Sequence, residues 1–172
     1  IWTAPILVNA NSATALRQSD LLVKDQYGDP LSADVPGHYL LDPTHPQGRE
    51  FLIELYTRLC RAGFRFFKVD FVGSLVAGQY FYDRDKGPYE VVAELFRLIR
   101  RCITPDSHLM GCSLPEECGP GLADSHRTGV DIHNHWAHVA WASESLQLAN
   151  WQSKRLGIND PDFLIVRGLD TS

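Results

Sequence analysis

The sequence predicts an α/β fold with a mostly parallel sheet. Stretches typical of strands alternate with stretches typical of helices along the 172 residues, and this alternation produces parallel strands joined by helices. One helix-like stretch passes through Gly63 directly into an apolar strand-like stretch at 64–71, and such short links are typical of α/β units. Charged side chains also stand where predicted strands end, as they do in barrel enzymes.

The first part of the chain predicts a strand, a short helix and a long loop. The strand covers 1–8, with Pro5 near its end or at a bulge because proline lacks a backbone N–H. The short helical piece covers 16–23, and the turn-rich stretch 25–39 predicts the loop.

The segment "LLDPTHPQGREFLIELYTRLCRAGF" then predicts a strong helix. Thr44 is its expected N-cap, with Pro46 in the first turn. Apolar residues that repeat at four-residue steps predict its core face, and Gly63 predicts its C-terminal stop. The predicted core face consists of Phe51, Leu55 and Leu59.

The second part of the chain alternates short strands with helices. Apolar residues at helical spacing predict a helix near 88–102, which is followed by a short strand in "HLMGCSL" and a loop at 115–121. "SHRTGVDI" predicts a weak strand, 136–156 predicts a helix, and "DFLIVR" predicts the last strand.

Composition and charge exclude several classes of partner. An apolar content of 44% and a charged content of 22% are ordinary for a globular protein. The net charge of −5 argues against nucleic acid or an anionic membrane as the main partner. No apolar run approaches the roughly 20 residues that cross a bilayer. The chain begins "IWTAPILV" and ends "FLIVRGLDTS", so we expect both ends to be internal to a longer protein.

The four cysteines predict free thiols rather than a metal site. Cys60, Cys102, Cys112 and Cys118 form no C-x-x-C pair, which disfavours structural zinc. Cys112 and Cys118 can pair across a loop, but free thiols are favoured in a chain this large and this poor in cysteine.

Two charges interrupt the apolar strand in "GFRFFKVDFVG". Because strand side chains alternate, Lys68 and Asp70 share the face of Phe66, while apolar residues fill the other face. A strand covered on both faces must place such charges in a site, since burying them unpaired is costly. A lysine close by would keep the Asp70 carboxylate ionised, which suits a nucleophile. The alternative is a structural Lys–Asp pair at a strand end.

The segment "DSHRTGVDIHNHW" supplies a second carboxylate. We expect Asp131 to close the next-but-one strand after that of Asp70, with Arg127 four residues earlier. Retaining glycosidases need two carboxyl groups roughly 5–5.5 Å apart, one as nucleophile and one as acid and then base. Asp131 is the candidate for the second role, and a helix cap or loop turn is its alternative role. The later "NDPD", at 159–162, predicts a turn by itself.

The same segment offers a metal-binding alternative. Asp131, His133 and His135 form D-x-H-x-H, and an extended backbone would turn all three side chains to one face, as metal ligands require. Three residues in one short segment do not close a site, so loop histidines are favoured and no metal or cofactor is predicted. Trp2 either offers an aromatic face to a sugar or packs in the core.

Six segments in order resemble the α-galactosidase (melibiase) superfamily, the clan D glycoside hydrolases close to families 36 and 27. They are "IWTAP", "LLDPTHP", "FFKVDF", "MGCSLP", "DSHRTGVDI" and "NDPDFLIVR". The resemblance runs nearly end to end, and the joint order of K-x-D, R-x-x-x-D and NDPD makes it specific. It implies a TIM (β/α)8 barrel, of which the chain resembles roughly strands three to seven, and a retaining double-displacement mechanism.

The resemblance also implies roles for individual residues and a carbohydrate as the partner. Asp70 falls at the family's nucleophile and Asp131 at its acid/base. The implied substrate-binding residues are Lys68 at sugar hydroxyls, Arg127 near the 2-hydroxyl, Cys112 where the 2-substituent is read, and Trp2 at a barrel-mouth aromatic or acidic position.

The chain departs from the family in two places. The second-strand acidic residues that read the galactose 4- and 6-hydroxyls are absent, and "CSLPEECGPG" differs from the glycine-rich loop of family 36. An open piece of a barrel leaves bare sheet edges, so we expect residues 1–172, one partial catalytic barrel, to be inactive alone. Two alternatives to an α-galactosidase-like hydrolase stay open: a metal-dependent barrel hydrolase using Asp131, His133 and His135, and a non-catalytic carbohydrate-binding barrel.

Overall fold

The computed structural model describes residues 1–78, 80–118, 120–133 and 135–162. These residues form strands and helices in alternation. In chain order they are β1 (Trp2–Thr3), β2 (Leu7–Asn9), α1 (Ala13–Arg17), β3 (His38–Leu40), α2 (Pro46–Arg61), β4 (Phe66–Val69), α3 (Pro88–Cys102), β5 (His108–Gly111), β6 (Ser125–Arg127), α4 (Trp136–Leu148) and β7 (Ile158–Asp160). No helix within these ranges has the length and apolar character needed to cross a membrane.

Five strands form one parallel sheet in the order β1-β4-β5-β6-β7. Its register sets Trp2 beside Lys68 and Arg127 beside Asp160. Strands β2 and β3 form a separate antiparallel pair. The parallel sheet and its helical crossovers confirm the predicted α/β class. Because parallel strands all end at the same edge of a sheet, the residues that follow β4, β5 and β6 gather at one edge.

Helices α2 and α3 cover one face of the parallel sheet. Phe67, Val69 and Leu109 point to that face and are fully buried in the core. Apolar residues of α3 are buried in the same core, as their helical spacing predicts: Val91, Val92, Leu95, Phe96 and Ile99. Lys68 stands between two of these buried residues in β4, so strand alternation turns it to the face away from the helices.

Helix α2 presents a different face to the core than its apolar periodicity predicts. Phe51 is 53% exposed, and Leu55 and Leu59 are only half-buried. The buried face lies one residue further along, where Leu52 and Tyr56 are fully buried. The Tyr56 hydroxyl shares a 2.9 Å hydrogen bond with a threonine of β1. This contact with the sheet, and not apolar spacing alone, decides which face of α2 is buried.

The N-cap of α2 is His45, not the predicted Thr44. The His45 ring Nδ1 accepts from the backbone N–H of Gln47 at 3.2 Å. Thr44 is otherwise engaged, because its backbone N–H and hydroxyl both donate to Asp42 Oδ1, at 2.8 and 2.7 Å. Asp42 is buried and also accepts from the backbone N–H of Tyr82 at 2.6 Å. It therefore ties the loop after β4 to the start of α2.

Several predicted boundaries are wrong by a few residues. The strand predicted over 1–8 is divided into β1 and β2, which belong to different sheets and flank a turn at Pro5. The helix predicted over 136–156 ends at Leu148, and Asn150–Gln152 forms a short 3₁₀ turn, consistent with the preference of asparagine for turns. Residues 163–167 of the predicted "DFLIVR" strand lie outside the described residues.

Candidate active site

The candidate residues on β4 and β5 lie on the sheet face opposite the helices. Backbone hydrogen bonds continue one residue past each strand: Asp70 N donates to Thr3 O at 2.9 Å, and Cys112 N donates to Val69 O at 2.8 Å. Strand alternation therefore turns Asp70 and Cys112 to the same side as Lys68. The structure brings these three side chains together at the carboxyl edge of the sheet.

The Asp70 carboxylate is held by two neutral donors. Trp2 Nε1 donates to Oδ2 at 2.9 Å, and the backbone N–H of Phe71 donates to Oδ1 at 2.7 Å. No ion pair within 4.0 Å joins Lys68 to Asp70 among the described residues, so the alternative of a structural Lys–Asp ion pair is wrong. Residues two apart on a strand are about 6.7 Å apart along it, and this separation leaves room for the donor from β1.

The residues that directly follow Asp70 and Cys112 have unfavourable backbone conformations. Phe71, after Asp70, has φ 60°, and Ser113, after Cys112, has φ 54°. Left-handed conformations are uncommon for residues with a Cβ, and they concentrate at functional sites where surrounding structure enforces them. The Phe71 ring also packs edge-on against the indole of Trp2, with centroids 6.3 Å apart. The backbone is thus bent at the points where the two side chains project.

Cys112 lies between the charged groups of the site. Its side chain is buried, and the charges of Asp70, Lys68 and Arg127 all act on its thiol. Burial, followed by the neighbouring Asp70 carboxylate, raises the pKa of Cys112 to about 12, although the charges of Lys68 and Arg127 partly oppose the rise. Cys112 and the other three cysteines are free thiols, as predicted.

This raised pKa predicts slow alkylation of Cys112. At about pH 8 its thiolate fraction should be roughly 10³-fold below that of an unperturbed cysteine, and the rate should rise tenfold with each pH unit up to the pKa. Peptide mass spectrometry after timed iodoacetamide treatment measures this rate. Cys118, half-buried with a pKa raised by burial to about 11, serves as the internal comparison and should react about tenfold faster. A rate for Cys112 that levels off below pH 10 would contradict the prediction.

Arg127 is a buried cation at the end of β6, the strand next to β5. Its side chain is 3% exposed, and its Nη2 donates to Asp131 Oδ1 at 2.7 Å and lies 2.8 Å from Asp162 Oδ2. The two carboxylates differ in burial, because the Asp131 side chain is 78% exposed and that of Asp162 is 13% exposed. One buried guanidinium therefore joins an exposed carboxylate to a buried one.

Asp131 does not close its strand, which corrects the position predicted from sequence. Strand β6 ends at Arg127, and Asp131 lies four residues later in a loop. Only three residues of the predicted "SHRTGVDI" strand pair with neighbouring strands. The contact between Arg127 and Asp131 reaches back from this loop to the strand end, so the ion pair determines where the Asp131 carboxylate lies.

Asp162 is the residue that sequence reasoning missed at this edge. The turn predicted at NDPD is only partly right, because Asn159 and Asp160 pair with β6 as part of β7. Asp162 has a left-handed backbone with φ 78°, and its N–H donates to Asp160 Oδ1 at 3.1 Å. Its carboxylate, however, meets Arg127 and accepts from the backbone N–H of Ile132 at 2.8 Å. The acidic residues of NDPD marked this segment as a candidate for the site, but which side chains they contact depends on how β7 pairs with β6.

The metal-binding alternative gains no support from the described residues. Asp131 is paired with Arg127, and the His133 ring packs edge-on against that of His138 with centroids 4.9 Å apart. His135 is the N-cap residue of α4. Over 1–78, 80–118, 120–133 and 135–162, no three His, Cys, Asp or Glu side chains are arranged to hold a metal ion.

Comparison with solved structures shows where this fold occurs. No family model matches the sequence. An α-galactosidase from Thermus thermophilus in complex with stachyose is 22% identical and superposes with a TM-score of 0.78, over 98% of this chain and 39% of that one. The same enzyme in complex with p-nitrophenyl α-D-galactopyranoside gives a TM-score of 0.79, again at 22% identity, over 98% of this chain and 37% of that one.

More distant glycosidases share the fold. The glycoside hydrolase domain of PelA from Pseudomonas aeruginosa is 18% identical with a TM-score of 0.56, over 88% of this chain and 62% of that one. An isomalto-dextranase from Arthrobacter globiformis T6 is 16% identical with a TM-score of 0.59, over 95% of this chain and 33% of that one. The chain thus spans about two fifths of the Thermus enzyme, and it has the fold of part of an α-galactosidase-like glycoside hydrolase barrel.

Proposed function

We propose that this chain is the catalytic part of a retaining glycoside hydrolase that acts on α-galactosides. The observation that supports the proposal is one row of polar groups at the carboxyl edge of the sheet. Asp70 and Cys112 stand in that row one residue past the paired ends of β4 and β5, and Arg127, on the next strand, binds Asp131. This edge is where barrel enzymes carry their catalytic groups. The likeness to the Thermus α-galactosidase supports the choice of α-galactosides.

Asp70 acts as the nucleophile in this proposal. Its carboxylate attacks the anomeric carbon and forms a covalent glycosyl intermediate while the leaving oxygen departs. The donors Trp2 Nε1 and Phe71 N fix both carboxylate oxygens, so little motion is needed to aim one oxygen at the sugar. As the charge on the carboxylate falls during attack, these hydrogen bonds weaken, and they strengthen again when the intermediate is hydrolysed.

Asp131 acts as the acid and then as the base. Its Oδ1 accepts from Arg127, whereas Oδ2 has no hydrogen bond among the described residues and belongs to an exposed side chain. Oδ2 is therefore the oxygen that gives a proton to the leaving group and later takes one from water. Strands β4 and β6 are two strand spacings, about 10 Å, apart, and inward-pointing side chains must shorten this interval to the 5–5.5 Å of a retaining pair.

Lys68, Arg127, Cys112 and Trp2 bind the sugar in this proposal. Lys68, two residues before Asp70 on β4, donates to hydroxyls from deeper in the site, and Cys112 and Arg127 border the 2-position. Trp2 leaves 54% of its surface exposed after its bond to Asp70, which provides a face for a pyranose ring. Since the chain spans 39% of the Thermus enzyme, activity is assigned to the intact protein, and we expect residues 1–172 to be inactive alone.

Replacing Asp131 with alanine tests the proposal through leaving-group dependence. In the intact protein, kcat/KM for α-galactosides with poor leaving groups should fall about 10²–10⁴-fold, the usual contribution of a general acid. Nitrophenyl galactosides should lose far less in the glycosylation step, because nitrophenolate departs without a proton. A panel of aryl α-galactosides, with matched glucosides to check the sugar, measures both effects. An equal loss across the panel would contradict the acid role of Asp131.

A further inference from the structure

Asp162 contacts the candidate acid/base segment at two points. Its Oδ2 lies 2.8 Å from Nη2 of Arg127, the same nitrogen that donates to Asp131 Oδ1. The same oxygen accepts from the backbone N–H of Ile132, the residue directly after Asp131, at 2.8 Å. The carboxylate of Asp162 therefore meets both the side chain that binds Asp131 and the backbone that carries it.

The turn after β7 fixes the direction of the Asp162 side chain. Asp160 pairs in register with Arg127, and Asp160 O accepts from Thr128 N at 2.9 Å. Asp160 Oδ1 then accepts from Asp162 N at 3.1 Å, and Asp162 takes φ 78°. Aspartate tolerates this left-handed conformation better than most residues. The turn is thus anchored to β6, and it directs a side chain that is only 13% exposed towards Arg127.

We propose that Asp162 is a positioning residue for the acid/base Asp131. The inference rests on the proposed function, which assigns the proton transfer to Asp131. Asp131 is 78% exposed, and packing alone does not fix the position of an exposed side chain on a loop. Asp162 fixes that position, because its carboxylate neutralises and orients Arg127 from the buried side and binds the backbone N–H of Ile132 in the loop. Arg127 then presents a fixed donor to Asp131 Oδ1 and leaves Oδ2 directed at the substrate.

Two substitutions separate the two contacts. Asp162→Asn keeps nearly the same shape, keeps an acceptor for Ile132 N and tolerates the left-handed backbone, but it removes the charge opposite Arg127. Asp162→Ala removes both contacts. Asp106→Asn is the matched control, since Asp106 is 76% exposed, pairs with Arg65 at 3.8 Å and precedes β5 at the opposite edge of the sheet.

The kinetic experiment measures kcat/KM of the intact protein against aryl α-galactosides of graded leaving-group ability. Asp162→Ala should lower the value for the poorest leaving group at least tenfold more than for dinitrophenyl galactoside, and Asp162→Asn should show a smaller effect of the same kind. In an Asp131→Ala background, Asp162→Ala should add no further leaving-group dependence, because the residue acts through Asp131. Asp106→Asn should match the unsubstituted protein throughout.

A second measurement follows the backbone contact in the intact protein. Hydrogen exchange at the Ile132 amide should accelerate at least tenfold in Asp162→Ala and much less in Asp162→Asn, which retains the acceptor. If the Asp162→Ala variant does not fold, the kinetic test uses Asp162→Asn, because asparagine has nearly the same shape as aspartate.

The outcomes distinguish a failure of the positioning role of Asp162 from a failure of the acid role of Asp131. A graded loss in Asp131→Ala with a uniform loss in both Asp162 variants would overturn the positioning role alone. A uniform loss in Asp131→Ala would overturn the acid assignment and the positioning role together. Unchanged exchange at Ile132 in Asp162→Ala would also reject the positioning role, because the backbone contact would then not restrain the loop.

Discussion

Replacing Asp70 with asparagine should reduce turnover of α-galactosides by the intact protein on the order of 10⁴-fold or more, the size of effect that loss of a nucleophile produces. Asparagine has nearly the same shape and can still accept a hydrogen bond from Trp2 Nε1 or Phe71 N, which now hold the carboxylate at 2.9 and 2.7 Å. The fold and the sugar site should therefore survive while covalent attack is lost. Measured kcat, together with an unchanged affinity for galactose, tests both parts.

Chemical rescue makes the Asp70 test specific. In Asp70→Ala, added azide can occupy the space of the missing carboxylate and attack the anomeric carbon, giving a galactosyl azide of inverted configuration. The exposed Asp106 again supplies a matched control, because Asp106→Asn removes a carboxylate at the other edge of the sheet. Normal turnover in Asp70→Asn would show that another group is the nucleophile. Sugar binding without turnover in the unsubstituted intact protein would instead favour a non-catalytic carbohydrate-binding barrel.

Helices α2 and α3 show what local sequence patterns determine. The bounds of α3 are predictable because Pro88 suits the first helical turn and one apolar stripe dominates the helix. Helix α2 carries two apolar series at four-residue steps, one through Phe51 and one through Leu52, and periodicity alone does not choose between them. Tertiary contacts decide between them: Tyr56, on the Leu52 series, hydrogen-bonds with β1. Gly48, on the same series, faces the backbone oxygen of Asp42 so closely that a Cβ there would lie 2.4 Å from it.

The candidate site likewise has some features that neighbouring residues predict and others that depend on how the strands pair. Alternation along β4 predicts that Lys68 and Asp70 share a face, because this depends on neighbouring residues only. The donor to Asp70 comes from Trp2, 68 residues away, and its position depends on the register between β1 and β4. Asp162 likewise reaches Arg127 only through the pairing of β7 with β6. Contacts of this kind arise from the assembled sheet, so the sequence pattern indicates their residues but not their partners.

Replacing Arg127 with methionine should destabilise the chain by about 3–5 kcal/mol, because removing one partner of a buried ion pair leaves the other charge uncompensated. The two carboxylates it binds respond differently. Asp131, at 78% exposure, returns to water at little cost, whereas Asp162, at 13% exposure, keeps a buried charge without its cation. Urea unfolding followed by tryptophan fluorescence measures the loss, and thermal unfolding should show a decrease in Tm of roughly 6–20 °C for a chain of this size.

A matched arginine and a double substitution identify the cause of that loss. Arg100 pairs with Asp124 at 2.6 Å and also donates to Ser107 O at 3.0 Å, but the two charged side chains are 33% and 41% exposed, so Arg100→Met should cost clearly less than Arg127→Met, with about 1 kcal/mol from the ion pair. Adding Asp162→Asn to Arg127→Met removes the stranded charge, and the double variant should be more stable than Arg127→Met alone. If the second substitution instead lowers stability further, the loss comes from the packing of the arginine stem and not from the unpaired carboxylate.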